Sequence, residues 1–167
     1  SLSFAQALSN ATVNQRWISA ETAETIVNGK PHSKIVELVH KFEMLSVLSS
    51  VEILAIDRLQ LDVGKHLAEA NEYARLAELE TRRSFFNQIE RQPLSEEQSN
   101  AVIAFDNRVQ VVAAAGSGKT SVMVARAAYA VHRGFIAPDR ILLLAFNKAA
   151  ADELQERVQQ RLSAAGI

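Results

Sequence analysis

The sequence predicts an α/β fold, with a βαβα unit in the second half preceded by an α-helical hairpin in the first. Three observations carry that prediction. Residues 1–92 place apolar side chains every three or four positions, the period of one helix face. Beyond Pro93, two short runs, Arg108–Ala113 and Ile141–Phe146, are rich in β-branched and apolar residues, and helical periodicity follows each. Between the first run and its helix lies a glycine-rich turn, Gly116-Ser117-Gly118. Strand, turn, helix, strand and helix in that order make a βαβα unit with a right-handed crossover. The expected domains are residues 1–92, a helical hairpin or arm, and residues 93–167.

Each element has a local reason. A short helix can begin at Ser3. Ser19 is a suitable N-cap for a helix through Val27, which Asn28-Gly29 ends and Lys30-Pro31 cannot extend. Ser33 can cap the next helix, where Leu38, Phe42 and Leu45 share a face. Ser49 or Ser50 opens a long helix expected to reach about Arg91. Its seam is Ile56, Leu59, Val63, Leu67, Ala70, Ala74 and Ala77, with charged residues between. Gly64 is where such a helix would bend or join. The helix from Ser33 is expected to lie antiparallel on it.

Past Pro93, Asp106-Asn107 signals a turn and Arg108–Ala113 reads as a strand. Lys119 to Arg133 reads as a helix closed by Gly134, with His132 and Arg133 suited to its last turn. Pro138-Asp139 is a loop, and Ile141–Phe146 has the continuous apolar character of a buried parallel strand. Ala150, Leu154, Val158 and Leu162 then mark a final amphipathic helix.

Composition excludes several classes. The 167 residues are 48% hydrophobic and 22% charged, which argues against disorder as the main state. No uncharged apolar run is long enough to span a membrane, and no secretory signal is visible, so a cytoplasmic setting is expected. With no cysteine, disulfides and thiolate metal sites are ruled out. The net charge is −1, and neither half is a basic arm or an acidic tail. Contact with nucleic acid would have to come from local residues. Ser1 in place of Met suggests a processed or truncated piece, with Ser1-Leu2 read as an expression scar.

The chemistry-bearing motif is Ala113-Ala114-Ala115-Gly116-Ser117-Gly118-Lys119-Thr120. It follows the pattern of a phosphate-binding loop, with Ala113 where the strict pattern has glycine. Gly116 and Gly118 allow turns that other residues resist, so amide N–H groups can converge with a helix N-terminus on an anion. Lys119 can reach the β and γ phosphates, and Thr120 can offer its hydroxyl to a nucleotide-bound Mg²⁺. Ser121 completes the candidate ATP-binding set. Upstream, Ser95-Glu96-Glu97-Gln98 reads in two ways. It is a capping box, with Gln98 reaching back to the Ser95 N–H. Gln98 is equally suited to reading an adenine edge, because an amide both donates and accepts.

These segments resemble one family. Leu94–Val102, the loop, and Ile141–Leu154 (with its Phe146-Asn147-Lys148-Ala149-Ala150-Ala151-Asp152-Glu153) are similar to the UvrD/Rep-like superfamily 1 DNA helicases. The helicase IV group is the branch most like this chain, because Gly116–Val122 continues into Ala125-Arg126-Ala127 and Leu142–Phe146. The resemblance implies that the βαβα unit is part of a P-loop NTPase domain of the RecA-like type, and that Gln98 reads adenine. It implies ATP and Mg²⁺ as cofactors, single-stranded DNA as partner, and 3′–5′ unwinding in a bacterial DNA-repair setting. The family's first DNA-contact motif falls on Phe146, Asn147 and Lys148, with one residue fewer between the aromatic and the Asn-Lys pair than in many relatives. Phe146 would stack on a base while Asn147 and Lys148 hold a phosphate. Alternatively, Phe146 belongs to the core and Asn147 caps the last helix. Arg126 reads as a helix-surface residue with no assigned role.

Hydrolysis by this family also needs an acidic residue ending a further strand, and an arginine facing the γ-phosphate. No apolar strand ending in acidic residues follows Lys148. The expectation is therefore an ATP-driven helicase as the parent protein, with this piece hydrolysing ATP slowly or not at all. A second reading is an RNA polymerase-associated ATPase whose N-terminal helices are the interaction module.

Overall fold

The computed structural model describes residues 2–13, 16–41 and 48–164. Among these, every regular element is helical: α1 Leu2–Val13, α2 Ala20–Asn28, α3 Lys34–Lys41, α4 Ser50–Asp57, α5 Val63–Thr81, α6 Arg83–Gln88, α7 Glu96–Ile103, α8 Lys119–His132 and α9 Lys148–Ala164. Short 3₁₀ turns occupy Arg58–Gln60 and Pro138–Arg140.

The α/β expectation is therefore corrected. No strand or sheet forms among the described residues, and the βαβα unit of a RecA-like P-loop domain is not seen. Both expected strand segments run without helical structure but make no backbone hydrogen bonds to one another. Val112, Leu142 and Leu144 lie 87%, 79% and 76% exposed. The physical reason is pairing. β-Branched side chains favour extended backbone, but extended backbone becomes a strand only when a neighbour supplies the ladder.

The chain divides into two compact units. The first holds residues 1–74 together with 105–107, and the second holds residues 75–104 and 108–167.

The core of the first unit joins Phe4 and Leu8 of α1, Ile18, Ile26 of α2, Leu59, and Val63 and Leu67 of α5. Much of the seam read from sequence is thus buried, including Ile56 and Ala74. Ser19 caps α2 by accepting from the Thr22 N–H at 3.2 Å. Ser49 and Glu52 form a reciprocal capping box on α4. The hydrogen bonds from Ser49 hold the Glu52 carboxyl below its ordinary range. At α3, the Lys34 N–H donates to His32 Nδ1 at 3.2 Å. Of the face expected there, Leu38 is exposed, whereas Phe42 and Leu45 lie outside the described residues.

The long helix expected from Ser50 to Arg91 is broken twice. Leu61 is extended, and the Asp62 carboxylate accepts from the Lys65 N–H at 3.1 Å, starting α5 afresh. An aspartate side chain competes for backbone N–H groups better at a helix start than inside one. The break therefore falls at Leu61-Asp62 rather than at Gly64. A second interruption at Arg82 separates α5 from α6. Polar clamps fasten the remaining segments of this unit. The Asn71 amide donates to Ile18 O at 2.9 Å and accepts from Ile18 N at 2.6 Å. The Asp106 carboxylate takes the Ala20 N–H, and Arg58 donates to Ala5 O at 2.8 Å.

The second unit is built on α8, which packs against both α7 and α9. Its centre is Val102, Ile103, Val124, Ala125, Ala128 and Tyr129, all at most 2% exposed. The alanines let α7 approach α8 closely. Gly134, at φ 66°, ends α8 as expected: its N–H reaches Val131 O and the Phe135 N–H reaches Ala130 O, both at 2.9 Å. Arg126, given no role from sequence, donates to Ala101 O and Ala104 O, each at 2.8 Å. It satisfies carbonyls at the C-terminal end of α7 that have no helical partner.

Phe85, Phe86, Tyr129 and Phe135 form an aromatic cluster, and the Tyr129 hydroxyl donates to Glu78 at 2.9 Å. Arg133 pairs with the same carboxylate at 2.9 Å. Burial, followed by the guanidinium groups of Arg82 and Arg133, holds the His132 imidazole below its ordinary range.

Burial, reinforced by the Glu78 charge, pushes the Tyr129 phenol up to about 12. An unfolded phenol titrates near 10, so folding favours the protonated form. That contribution is complete below pH ~10 and disappears as pH rises through the folded value. The thermal midpoint should fall steeply over this alkaline window, and Tyr129→Phe should flatten the fall. An equal slope in the variant would remove Tyr129 as its source.

Candidate functional site

The candidate site sits where residues 113–118 enter α8. Gly116 and Gly118 both adopt left-handed backbone, at φ 76° and 87°. No Cβ would obstruct the space at Gly116, whereas one at Gly118 would meet Gln98 Nε2 at 2.5 Å. Gly118 is also the N-cap of α8. The first backbone bond there runs from the Val122 N–H to Gly118 O at 3.0 Å. The amides of Lys119, Thr120 and Ser121 therefore have no acceptor within the helix, which is the condition for an anion cradle.

The loop is closed by its own side chains. Ser117 Oγ donates to Ala114 O at 2.7 Å. Lys119 Nζ folds back and donates to Ala113 O at 2.9 Å and Ala114 O at 2.6 Å. An ammonium held only by neutral carbonyls keeps its charge unpaired. A phosphate oxygen arriving there would be a stronger, charge-assisted acceptor. Thr120 stands exposed in the first turn of α8.

Gln98 fills the capping-box role read from sequence. Its Oε1 accepts the Ser95 N–H at 2.9 Å, and the Ser95 hydroxyl accepts the Gln98 N–H at 3.2 Å, completing the capping box of α7. Its Nε2 donates to Ser117 O at 3.0 Å. The amide therefore ties the start of α7 to the loop.

Two clefts flank this tie. One, of about 440 Å³, is bounded by Gln98, Val109, Val111, Ala113 and Lys119. The other, of about 430 Å³, runs from Gly116, Ser117, Gly118 and Ser121 to Pro93 and Leu94. Arg157 of α9 also lines the second cleft. Its guanidinium donates to Ser121 Oγ at 2.8 Å and to Glu90 Oε2 at 3.0 Å. Neither Arg157 nor Glu90 was singled out from sequence. Arg157 carries a faint signal, lying three residues after Leu154 and beside Val158 on the apolar side of α9. Glu90 carries none, since only the folded chain buries it.

Phe146, Asn147 and Lys148 lie at the start of α9. Phe146 is fully exposed, so it is not a core residue. Asn147 caps the helix, with Oδ1 accepting the Ala150 N–H at 2.8 Å. Lys148 is exposed in the first turn. Among the described residues, no group of three or more His, Cys, Asp or Glu is placed to hold a metal ion. No helix among them is long and apolar enough to cross a membrane.

Residues 94–167 match the family described as UvrD/REP helicase N-terminal domain. DNA helicase IV of Escherichia coli is 50% identical over 78 residues, covering 47% of this chain and 11% of that protein. A probable DNA helicase II homolog of Mycoplasma capricolum is 43% identical over 67 residues, 40% of this chain and 9% of the relative. The ATP-dependent DNA helicase SRS2 of Saccharomyces cerevisiae is 34% identical over 73 residues, 44% of this chain and 6% of the relative. The matched stretch thus spans about a tenth or less of the length of these relatives. No solved structure matches the chain. The resemblance read from residues 92–162 agrees with these matches: the segment is similar to the UvrD/REP helicase N-terminal domain, and the relatives it matches are named as DNA helicases.

The two glycines separate strain from crowding. Gly116→Ala should lower stability by about 1–2 kcal/mol, the cost of left-handed backbone for a residue with a Cβ. Gly118→Ala bears that cost and also displaces the Gln98 amide, so it should unfold at lower urea concentration than Gly116→Ala. Equal midpoints would show that the Gln98–Ser117 tie contributes nothing.

Proposed function

We propose that this chain, whose residues 94–167 are of the UvrD/REP helicase N-terminal type, supplies nucleotide- and DNA-binding parts of an ATP-dependent DNA helicase. The observation that carries the reading is the Lys119 ammonium, held within the loop by two carbonyls at 2.6 and 2.9 Å beside the free amides of α8. Ala113 through Ser121 would cradle the phosphates, and Lys119 would exchange carbonyl oxygens for phosphate oxygens. Opening of the same loop would release Gln98 Nε2 from Ser117 O and free it for an adenine edge, while Oε1 stays on the α7 cap.

The donor set fits Mg²⁺ bound through a nucleotide rather than by protein alone. Thr120 offers one hydroxyl, and no acidic cluster stands ready among the described residues. When bound, the ion supplies charge that neutralises the phosphates. Single-stranded DNA is the proposed partner at Phe146, Asn147 and Lys148. The exposed ring supports base stacking, and the Lys148 ammonium at the start of α9 supports phosphate contact. The 3′–5′ direction comes from the resemblance alone. The activity proposed for these residues is binding; turnover needs an acidic metal ligand beyond those the chain places near its loop. No observation favours the RNA polymerase-associated reading, and the relatives are named as DNA helicases.

Two measurements test this. Lys119→Ala should abolish binding of a non-hydrolysable ATP analogue with Mg²⁺ in calorimetric titration, and unchanged affinity would refute the loop's role. Phe146→Ala should weaken affinity for an oligo(dT) single strand by about 1–3 kcal/mol at low salt. No change would leave the ring without a stacking role.

A further inference from the structure

The second unit holds another cleft, of about 270 Å³, that shares no residue with the loop or with Phe146–Lys148. Arg82, Ser84 and Phe85, at and just inside the start of α6, line one part of it, with Ile89 behind them. His132 at the end of α8 and Arg161 in the last turn of α9 line the rest. The His132 imidazole stacks on the Phe85 ring, with centroids 5.0 Å apart. The volume lies near the lower end of ligand pockets, so its occupant is small.

The two arginines of this cleft are short of acceptors. Arg82 Nε is 3.7 Å from Glu78 Oε2, and Arg161 Nε is 3.5 Å from Glu90 Oε2. Both Nε atoms are buried, and neither has a hydrogen-bond partner. A guanidinium is permanently charged and carries five donors, and buried donors are seldom left alone. The two carboxylates are committed to closer partners. Glu78 takes Arg133 and the Tyr129 hydroxyl, each at 2.9 Å, and Glu90 takes Arg157 at 3.0 Å. Four guanidinium groups therefore share two carboxylates, which leaves a surplus of two positive charges. The exposed Glu153 and Glu156 line a different cleft, together with Arg91. The surplus reaches the cleft wall: after burial, the charges of Arg82 and Arg133 are what keep the His132 imidazole below its ordinary range.

The geometry points to this cleft as a binding site for a small phosphate monoester that carries an apolar body. Such a group bears about −1.5 to −2 charges at pH 7, which matches the surplus. Its three terminal oxygens can accept from Arg82 and Arg161 together, with the Ser84 hydroxyl as a further donor. A carboxylate has two oxygens in one plane, which suits a single guanidinium fork. Phe85 and Ile89 supply the apolar wall for the rest of the molecule. The Arg82 side chain is 35% exposed, so the anion reaches it from solvent without opening the core. The bound group would join α6 to the end of α9 through one shared charge. This inference does not depend on the nucleotide reading of the loop.

The test uses the full chain with Lys119→Ala as background, which weakens the loop as a competing phosphate binder. Phenyl phosphate is titrated by calorimetry at pH 7.5, with inorganic phosphate and phenol as comparison probes. Phenyl phosphate should bind at one site with a Kd of about 1 mM or tighter, and each comparison probe at least about fivefold more weakly. Arg161→Gln should raise that Kd by about tenfold or more, because a charged donor is lost while Glu90 keeps Arg157. Gln88→Glu, at an exposed position on the cleft, should do the same by placing a negative charge against the anion. If Arg161→Gln fails to unfold cooperatively, Gln88→Glu decides, since it removes no buried contact. No saturable heat with phenyl phosphate overturns the site, and so does a Kd unchanged in a folded variant. Inorganic phosphate binding as tightly as phenyl phosphate overturns the monoester assignment.

Discussion

Left-handed backbone at Gly118 is the constraint on which the second unit's loop depends. It lets the chain turn from residues 113–117 directly into α8, leaving three amides at the helix start without helical acceptors. It also leaves the space beside Gly118 that the Gln98 amide occupies. One backbone torsion therefore sets the direction of α8, the exposure of its amide terminus and the approach of α7. The dipole of α8 and the Lys119 ammonium add positive potential at the same point.

The second unit holds this junction from three sides. Arg126 fastens the C-terminal end of α7 to α8, Gln98 fastens its N-terminal end to the loop, and Arg157 fastens α9 to the first turn of α8. Each clamp uses a side-chain donor on a backbone carbonyl or hydroxyl, part-buried at Arg126 and Arg157 and exposed at Gln98. Around them the apolar contacts are small and close. Alanines of α8 admit its neighbours, and a layer of aromatic rings around Tyr129 closes the other end.

Similarity to the UvrD/REP helicase N-terminal domain covers residues 94–167 and coincides with the part of the second unit that carries the loop, Gln98 and Phe146–Lys148. The first unit has its own core and its own polar clamps. In both units, charged side chains do their structural work on one another or on single backbone groups, as Arg58 does on Ala5 O. This agrees with a chain whose net charge is −1 and whose potential is local.

Helices and their caps were legible in the residues because a helix closes its hydrogen bonds within four positions. Ser19, Ser49, Ser95 and Gly134 all act where their chemistry places them. The loop glycines were legible for the same local reason. Three things lay beyond such reading. Extended segments 108–113 and 141–146 have strand-like residues, but a strand exists only through a partner elsewhere in the chain, and no segment among the described residues pairs with them. A seam of apolar residues from Ile56 to Ala77 fits one long helix, yet the Asp62 carboxylate wins the Lys65 amide and starts a new one. Arg126, Arg157 and Glu90 gained their roles only when folding brought distant backbone and hydroxyl groups within reach, because contacts between residues far apart in sequence leave no periodic trace.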